Sequence, residues 1–187
     1  VLMCRNAEHL ADYQREMQAE GIEVATQVVD TANQTTLTAA MQQAVQTYGI
    51  PDVLFYNVGI TTADTELPDD MNTTVMEQRY QVDVLGAYTC IQQVLGDAFS
   101  KKQGSILITG GGLSMYPSAE YLPLSMDKAA LRAMVLALHP VFQAQSVFIG
   151  AVQVCYTIGG SEKYMPEKIA EQFWKLYQDR TDAEIVY

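Results

Sequence analysis

Asp52-Val53-Leu54-Phe55-Tyr56-Asn57-Val58-Gly59 follows Pro51 as a near-continuous apolar run that ends in a polar residue and a glycine. A run of this kind, bounded by turn signals, suits a parallel strand buried on both faces. Toward the N-terminus, Leu37, Met41, Ala44, Val45 and Tyr48 recur at helical spacing up to a stop at Gly49. Residues 23–29 read as a strand that ends at Asp30, and Leu10, Tyr13 and Met17 as a helix stopped by Gly21. Val1-Leu2-Met3-Cys4 is a further short strand, closed by Arg5-Asn6.

The same alternation continues toward the C-terminus. A loop carrying Pro68, Asp69 and Asp70 leads into a long helical segment over about 72–99, with Asn72 or Thr73 as cap. Ser105-Ile106-Leu107-Ile108-Thr109 is a second buried strand, closed by Gly110-Gly111-Gly112. Residues 124–137 read as a helix, 147–155 as a strand and 166–178 as a helix with Ile169, Phe173 and Leu176 inward; residues 183–187 form a last short strand. Strands alternating with helices predict right-handed crossovers and an α/β fold of the Rossmann-like kind, a doubly wound parallel sheet in a three-layer α/β/α arrangement. Ligands of such sheets sit beyond the carboxyl ends of the strands, which directs attention to Arg5, Asp30, residues 57–59, 109–112 and 155–160.

With 187 residues, 49% of them hydrophobic and 18% charged, the sequence suits one domain over 1–187 around one sizeable core. The net charge of -11 repels phosphate backbones and argues against a nucleic-acid partner. No run approaches the roughly 18 to 20 apolar residues of a membrane span, and residues 1–6 do not form a signal peptide, so a cytoplasmic protein is expected. Cys4, Cys90 and Cys155 are far apart, without Cys/His spacing for a metal, and read as reduced packing residues.

The strand-end residues, in this order, resemble the short-chain dehydrogenase/reductase family. Asp52 to Gly59 is similar to its Asp-x-Leu-x-Asn-Asn-Ala-Gly strand and turn, and Leu124-Ser125-Met126-Asp127-Lys128-Ala129-Ala130-Leu131 to its Tyr-x-x-x-Lys helix. Arg5 resembles the residue that meets the 2'-phosphate of NADP, and Asp30 the acidic position that bonds the adenine. The resemblance implies NADP or NAD as cofactor, hydride transfer to or from a small carbonyl or alcohol, and Arg5, Asp30, Asn57, Val58, Gly59, Thr109, Lys128 and Thr157 as cofactor-side residues. For Asn57 and Gly59 the bland alternative is a plain turn; for Arg5, a solvated cation at a helix start; for Asp30, a helix-capping acid.

The sequence also departs from the family pattern. The opening strand and its Thr-Gly-x-x-x-Gly-x-Gly turn, which cradles pyrophosphate, have no counterpart, so the first strand-helix unit is expected to be missing from this chain and the natural protein to be longer. The tyrosine position holds Leu124, the serine position Gly111 and the asparagine position Asp83; only Lys128 is kept, and Cys155-Tyr156 stands where Pro-Gly is usual. Catalytic candidates are therefore Lys128, Asp83 as its expected salt-bridge partner, and Tyr121 as a replacement phenol, against Tyr121 as a loop aromatic over the pocket. Ser114 and Ser125 lack a positioned base, and His9 and His139 read as surface or packing residues. Two readings follow: an oxidoreductase with a rearranged acid/base group, or a pseudoenzyme that keeps the fold and binds cofactor or partners. Both family-like helices, 72–99 and 124–137, carry surplus apolar residues, including Val82, Leu85, Tyr88, Leu131, Met134 and Leu138, which predicts a homodimer or homotetramer.

Overall fold

The computed structural model describes residues 1–63, 69 and 71–187; Pro68 and Asp70 of the acidic loop lie outside them. Among the described residues six strands alternate with helices: β1 Leu2–Cys4, α1 Ala7–Ala19, β2 Thr26–Val28, α2 Gln34–Tyr48, β3 Val53–Tyr56, α3 Thr73–Tyr80, α4 Gly86–Val94, α5 Asp97–Lys101, β4 Ser105–Gly111, α6 Leu122–Gln143, β5 Phe148–Val154, α7 Pro166–Asp179 and β6 Glu184–Val186. Every strand pair is parallel, as the alternation predicts. The described strands form two sheets rather than one, β1-β2 and β3-β4-β5-β6, because β1 and β3 make no backbone pairing with each other.

The larger of two apolar clusters nevertheless spans both sheets. Met3 and Val29 pack in the same cluster as Leu37 and Met41 of α2, Ile91 of α4, Ile106 and Ile108 of β4, and Leu131 and Val135 of α6. On the other face, Leu107, Phe148 and Val152 meet Ile169, Phe173 and Leu176 of α7, the inward set read from its helical spacing. Sheet tips from both pieces are thereby gathered around one interior. β5 is buried along its whole length, as a central strand should be. β3 is not: Phe55 is 49% exposed although its ring touches Phe173, so the expectation of burial on both faces fails for this strand.

The expected long helix over 72–99 is divided among four segments, α3, a π segment, α4 and the start of α5. Asn72 caps α3 by accepting from the Thr74 amide, the helix loosens into a π segment at Gln81–Leu85, and α4 ends before Gly96, where the backbone turns at positive φ into the short α5. Tyr56 explains part of the π segment. Its hydroxyl donates to the Val82 carbonyl at 2.5 Å, and a Cβ on Gly86 would lie 2.4 Å from that hydroxyl, so only glycine lets the helix pass there. α6 runs further than read, over Leu122–Gln143 with Pro140 inside it, and its preceding residue Tyr121 bends the chain into the first turn.

Candidate functional site

Asn57, Gly59, Thr109 and Lys128 converge at the carboxyl tips of the paired strands β3 and β4. The Thr109 hydroxyl donates to Asn57 Oδ1 at 2.6 Å, tying the end of β4 to the turn after β3. Lys128 reaches up from α6, and its Nζ donates to the Thr109 carbonyl at 2.8 Å. A Cβ on Gly59 would sit 3.5 Å from Nζ and 4.0 Å from Asp83 Oδ1, and one on Gly111 would sit 3.5 Å from Lys128 Cγ. The glycine turn, the lysine and the aspartate therefore share one small volume. Val58 is half-buried and packs into the core beneath that turn.

The π segment supplies Asp83. Its side chain is fully buried, Oδ1 accepts the Ile60 amide at 3.0 Å, and Oδ2 is enclosed without a hydrogen-bond partner. Asp83 and Lys128 do not form the expected ion pair, because each polar end is committed to backbone: Asp83 to the Ile60 amide, Lys128 to the Thr109 carbonyl. They interact through space instead. Burial raises the Asp83 carboxyl above its ordinary range, against the pull of the Ile60 amide, Lys128 and Arg79. Burial lowers the Lys128 ammonium, while Asp83 and Asp127 pull it back up.

Two members of this charged cluster were not singled out from the sequence. Arg79 is buried and donates to the Ile60 and Thr62 carbonyls, clamping the far side of the turn after β3. Asp127 is 2% exposed, its Oδ2 has no hydrogen-bond partner, and burial together with Asp83 pushes its carboxyl up to about 7. Spacing carried a signal for both. Arg79 and Asp83 are four apart on one helical face, and Asp127 interrupts the apolar opening of α6 beside the lysine.

A second network underlies the tip of β4. Gln153 of β5 is fully buried; its Oε1 accepts from the Gly111 amide at 2.9 Å and its Nε2 donates to Glu184 at 3.0 Å. Arg132 closes the chain with three hydrogen bonds to Glu184, which hold that carboxyl below its ordinary range. A Cβ on Gly110 would fall 2.1 Å from Gln153 Oε1, so the glutamine occupies the space a side chain would need. The triple glycine thus fits over a buried amide that fixes the strand tip.

The remaining sequence candidates are dispersed along the same strand ends. Arg5 is exposed after β1, next to Asn6, whose carbonyl oxygen Oδ1 caps α1. Asp30, exposed after β2, accepts the Ala32 amide at 3.0 Å, while Asn33 and not Asp30 caps α2. Thr157 is exposed in the loop after β5, where its carbonyl accepts the Gly160 amide. Tyr121 is half-buried at the N-cap position of α6, without a side-chain capping bond; its carbonyl accepts the Ser125 hydroxyl at 2.8 Å, and the hydrogen bonds among the described residues give its phenol no link to Lys128. Leu124 is buried in the first turn of α6. His139 is a packing residue, bonded to the Ile149 carbonyl and edge-on to Phe148. Cys4, Cys90 and Cys155 are unpaired, and burial pushes the Cys90 thiol up to about 12.

A parallel, helix-flanked sheet with polar groups gathered at its strand tips defines a Rossmann-like nucleotide-binding class of protein. Within it, the chain belongs to the short chain dehydrogenase family, whose model matches residues 1–168. Over 190 residues it is 26% identical to the granaticin polyketide synthase putative ketoacyl reductase 1 of Streptomyces violaceoruber, covering 96% of this chain and 66% of that protein. Among solved structures it resembles an alcohol dehydrogenase from the archaeon Thermococcus sibiricus complexed with 5-hydroxy-NADP, with a TM-score of 0.84 at 19% identity over 100% of this chain and 83% of that one. A metagenomic short-chain oxidoreductase in complex with NADP matches with a TM-score of 0.88 at 18% identity, covering 100% and 84%. At such identities these two likenesses establish the fold.

Proposed function

We propose that this chain binds NADP(H) or NAD(H) at the tips of β3 and β4 and belongs to an oxidoreductase that moves hydride to or from a small carbonyl or alcohol. The observation that carries this reading is the convergence of Asn57, Gly59, Thr109 and Lys128 on one volume, with a lysine aimed into it. The donor set fits a nicotinamide nucleotide: a buried ammonium with hydrogens to spare for ribose hydroxyls, a glycine turn that admits close approach, and an exposed Asn57 side chain beside it. Arg5, Asp30 and Thr157 would contact the adenosine and diphosphate portions along the same row of strand ends. A bound nicotinamide nucleotide supplies the hydride. The protein's own work is to orient the nucleotide with Lys128 and Asn57, to exclude water with Val58 and the core beneath, and to hold a proton near the substrate oxygen.

One observation favours a second reading. Leu124 stands, buried, where the family resemblance places a tyrosine, and Gly111 where it places a serine, so a chain that binds nucleotide without turnover is the alternative. In either reading the proposed partner is a small molecule in the cytoplasm, not nucleic acid or a membrane. Among the described residues no helix is long and apolar enough to cross a membrane.

Titration of NADPH and NADH fluorescence with purified protein, followed by cofactor oxidation over a panel of aliphatic and aryl ketones and aldehydes, separates these readings. Saturable binding with turnover is the expected result. Binding without turnover selects the alternative, and no binding of either nucleotide refutes both.

A further inference from the structure

Resting on the oxidoreductase reading above, we infer that Lys128 is itself the proton donor to the substrate oxygen, a role its ammonium takes because the hydroxyls of Thr109, Ser125, Ser114 and Tyr56 are turned elsewhere. Thr109 Oγ1 donates to Asn57, Ser125 Oγ to the Tyr121 carbonyl, Ser114 Oγ to Gln153, and Tyr56 Oη to the Val82 carbonyl. Asp83, Asp127 and Lys128 are all buried, at 0%, 2% and 6% exposure, and Lys128 borders both Gly59 and Gly111 at the strand tips. Lys128 alone among these groups has hydrogens left over: its ammonium carries three, and one is used on the Thr109 carbonyl. Beside its stem Gly111 carries no side chain, and a Cβ there would meet Lys128 only at ordinary van der Waals distance.

The surroundings suit a donor that must return to its charged form. Facing Lys128 are Asp83 from the π segment and Asp127 from its own helix, with Arg79 of α3 also acting on both carboxyls and Tyr56 of β3 beside Asp83. Thr109, Gly111 and Gly59 bring no ionisable group. Burial weakens the ammonium's hold on its proton, and the two acids keep it from being lost outright. In the reductive direction the carbonyl carbon receives a hydride from a reduced nicotinamide, which is thereby oxidised. The oxygen takes the proton of the Lys128 ammonium, the carbonyl becomes the alcohol, and the neutral amine is reprotonated from solvent.

The test pairs two measurements on the purified protein. Nitrogen-15 NMR of the lysine Nζ atoms, assigned with Lys128→Arg, gives the pH at which Lys128 titrates, and the pH profile of kcat for ketone reduction with NADPH gives the pH above which turnover falls. The two should coincide. Lys128→Arg keeps the cation but does not release a proton in this range, so kcat should fall roughly 100-fold or more while NADPH still binds. A kcat within about threefold of wild type in Lys128→Arg overturns the inference, as does a kcat break that ignores the Lys128 titration or that vanishes in Tyr121→Phe while Lys128 titrates unchanged. If Lys128→Arg does not fold, Lys128→Met serves for assignment and the wild-type coincidence decides. Absence of any NADPH fluorescence response in wild type refutes the oxidoreductase reading and this inference together; binding and turnover that survive without the lysine proton refute the inference alone.

Discussion

Asp127 is buried with one carboxyl oxygen unpartnered, so the folded chain holds a proton there more tightly than the unfolded chain does. Its carboxyl moves from an ordinary 3.8 up to about 7. Between those values the folded state binds more protons than the unfolded one, and stability from this group is greatest at the acid end and falls as pH rises through about 7. Asp127→Asn removes the charge that must be buried at alkaline pH. We expect it to raise unfolding free energy at pH 8 by about 1–3 kcal/mol, and to do much less at pH 5. Urea melts at both pH values check this; equal effects at the two would show that Asp127 is not the titrating group. At this same scale the sequence was partly legible. Lys128, Asp83, Asn57 and Gly59 could be singled out because they stand at strand ends or in a resembling motif. Arg79 and Asp127 left only a signal of spacing and Gln153 none, since nothing local says that these polar residues are folded inward rather than solvated.

Element boundaries followed from periodicity wherever an element is packed on one or two clear faces. α7, with Ile169, Phe173 and Leu176 buried, and β5, buried throughout, match their apolar patterns to within one or two residues. The long helix failed for a tertiary reason. The π segment at Gln81–Leu85 exists where the Tyr56 hydroxyl takes the Val82 carbonyl, a contact between residues 26 apart that no helical spacing encodes. On their outer faces α3, α4 and α6 leave Tyr80, Tyr88, Met126, Leu136 and Val141 exposed, and the π segment adds Leu85. A cleft of about 220 Å³ between α3 and α6 is lined by Met76, Tyr80, Pro123 and Met126. We propose that these faces meet a second copy of the chain, as the resemblance implies. Light scattering of the purified protein should give a dimer or tetramer, and Tyr88→Glu should shift it toward monomer; a wild-type monomer would contradict the proposal.

For the molecule as a whole, the alternation of strands and helices made the doubly wound parallel class readable, since each buried strand and each one-sided helix announces its own period. That the described strands split into β1-β2 and β3-β4-β5-β6 was not readable, because the pairing of neighbours depends on which edges meet and not on the composition of either strand. Both sheets nonetheless share the larger apolar cluster, which keeps the tips of β1, β2, β3 and β4 around a common interior. The central claim is that the tips of β3 and β4 are where a nicotinamide nucleotide lies. Amide hydrogen exchange with and without saturating NADPH tests it most directly. Slowed exchange centred on residues 57–60 and 109–112 is the predicted result, and protection that appears elsewhere while those amides stay unchanged would contradict the account.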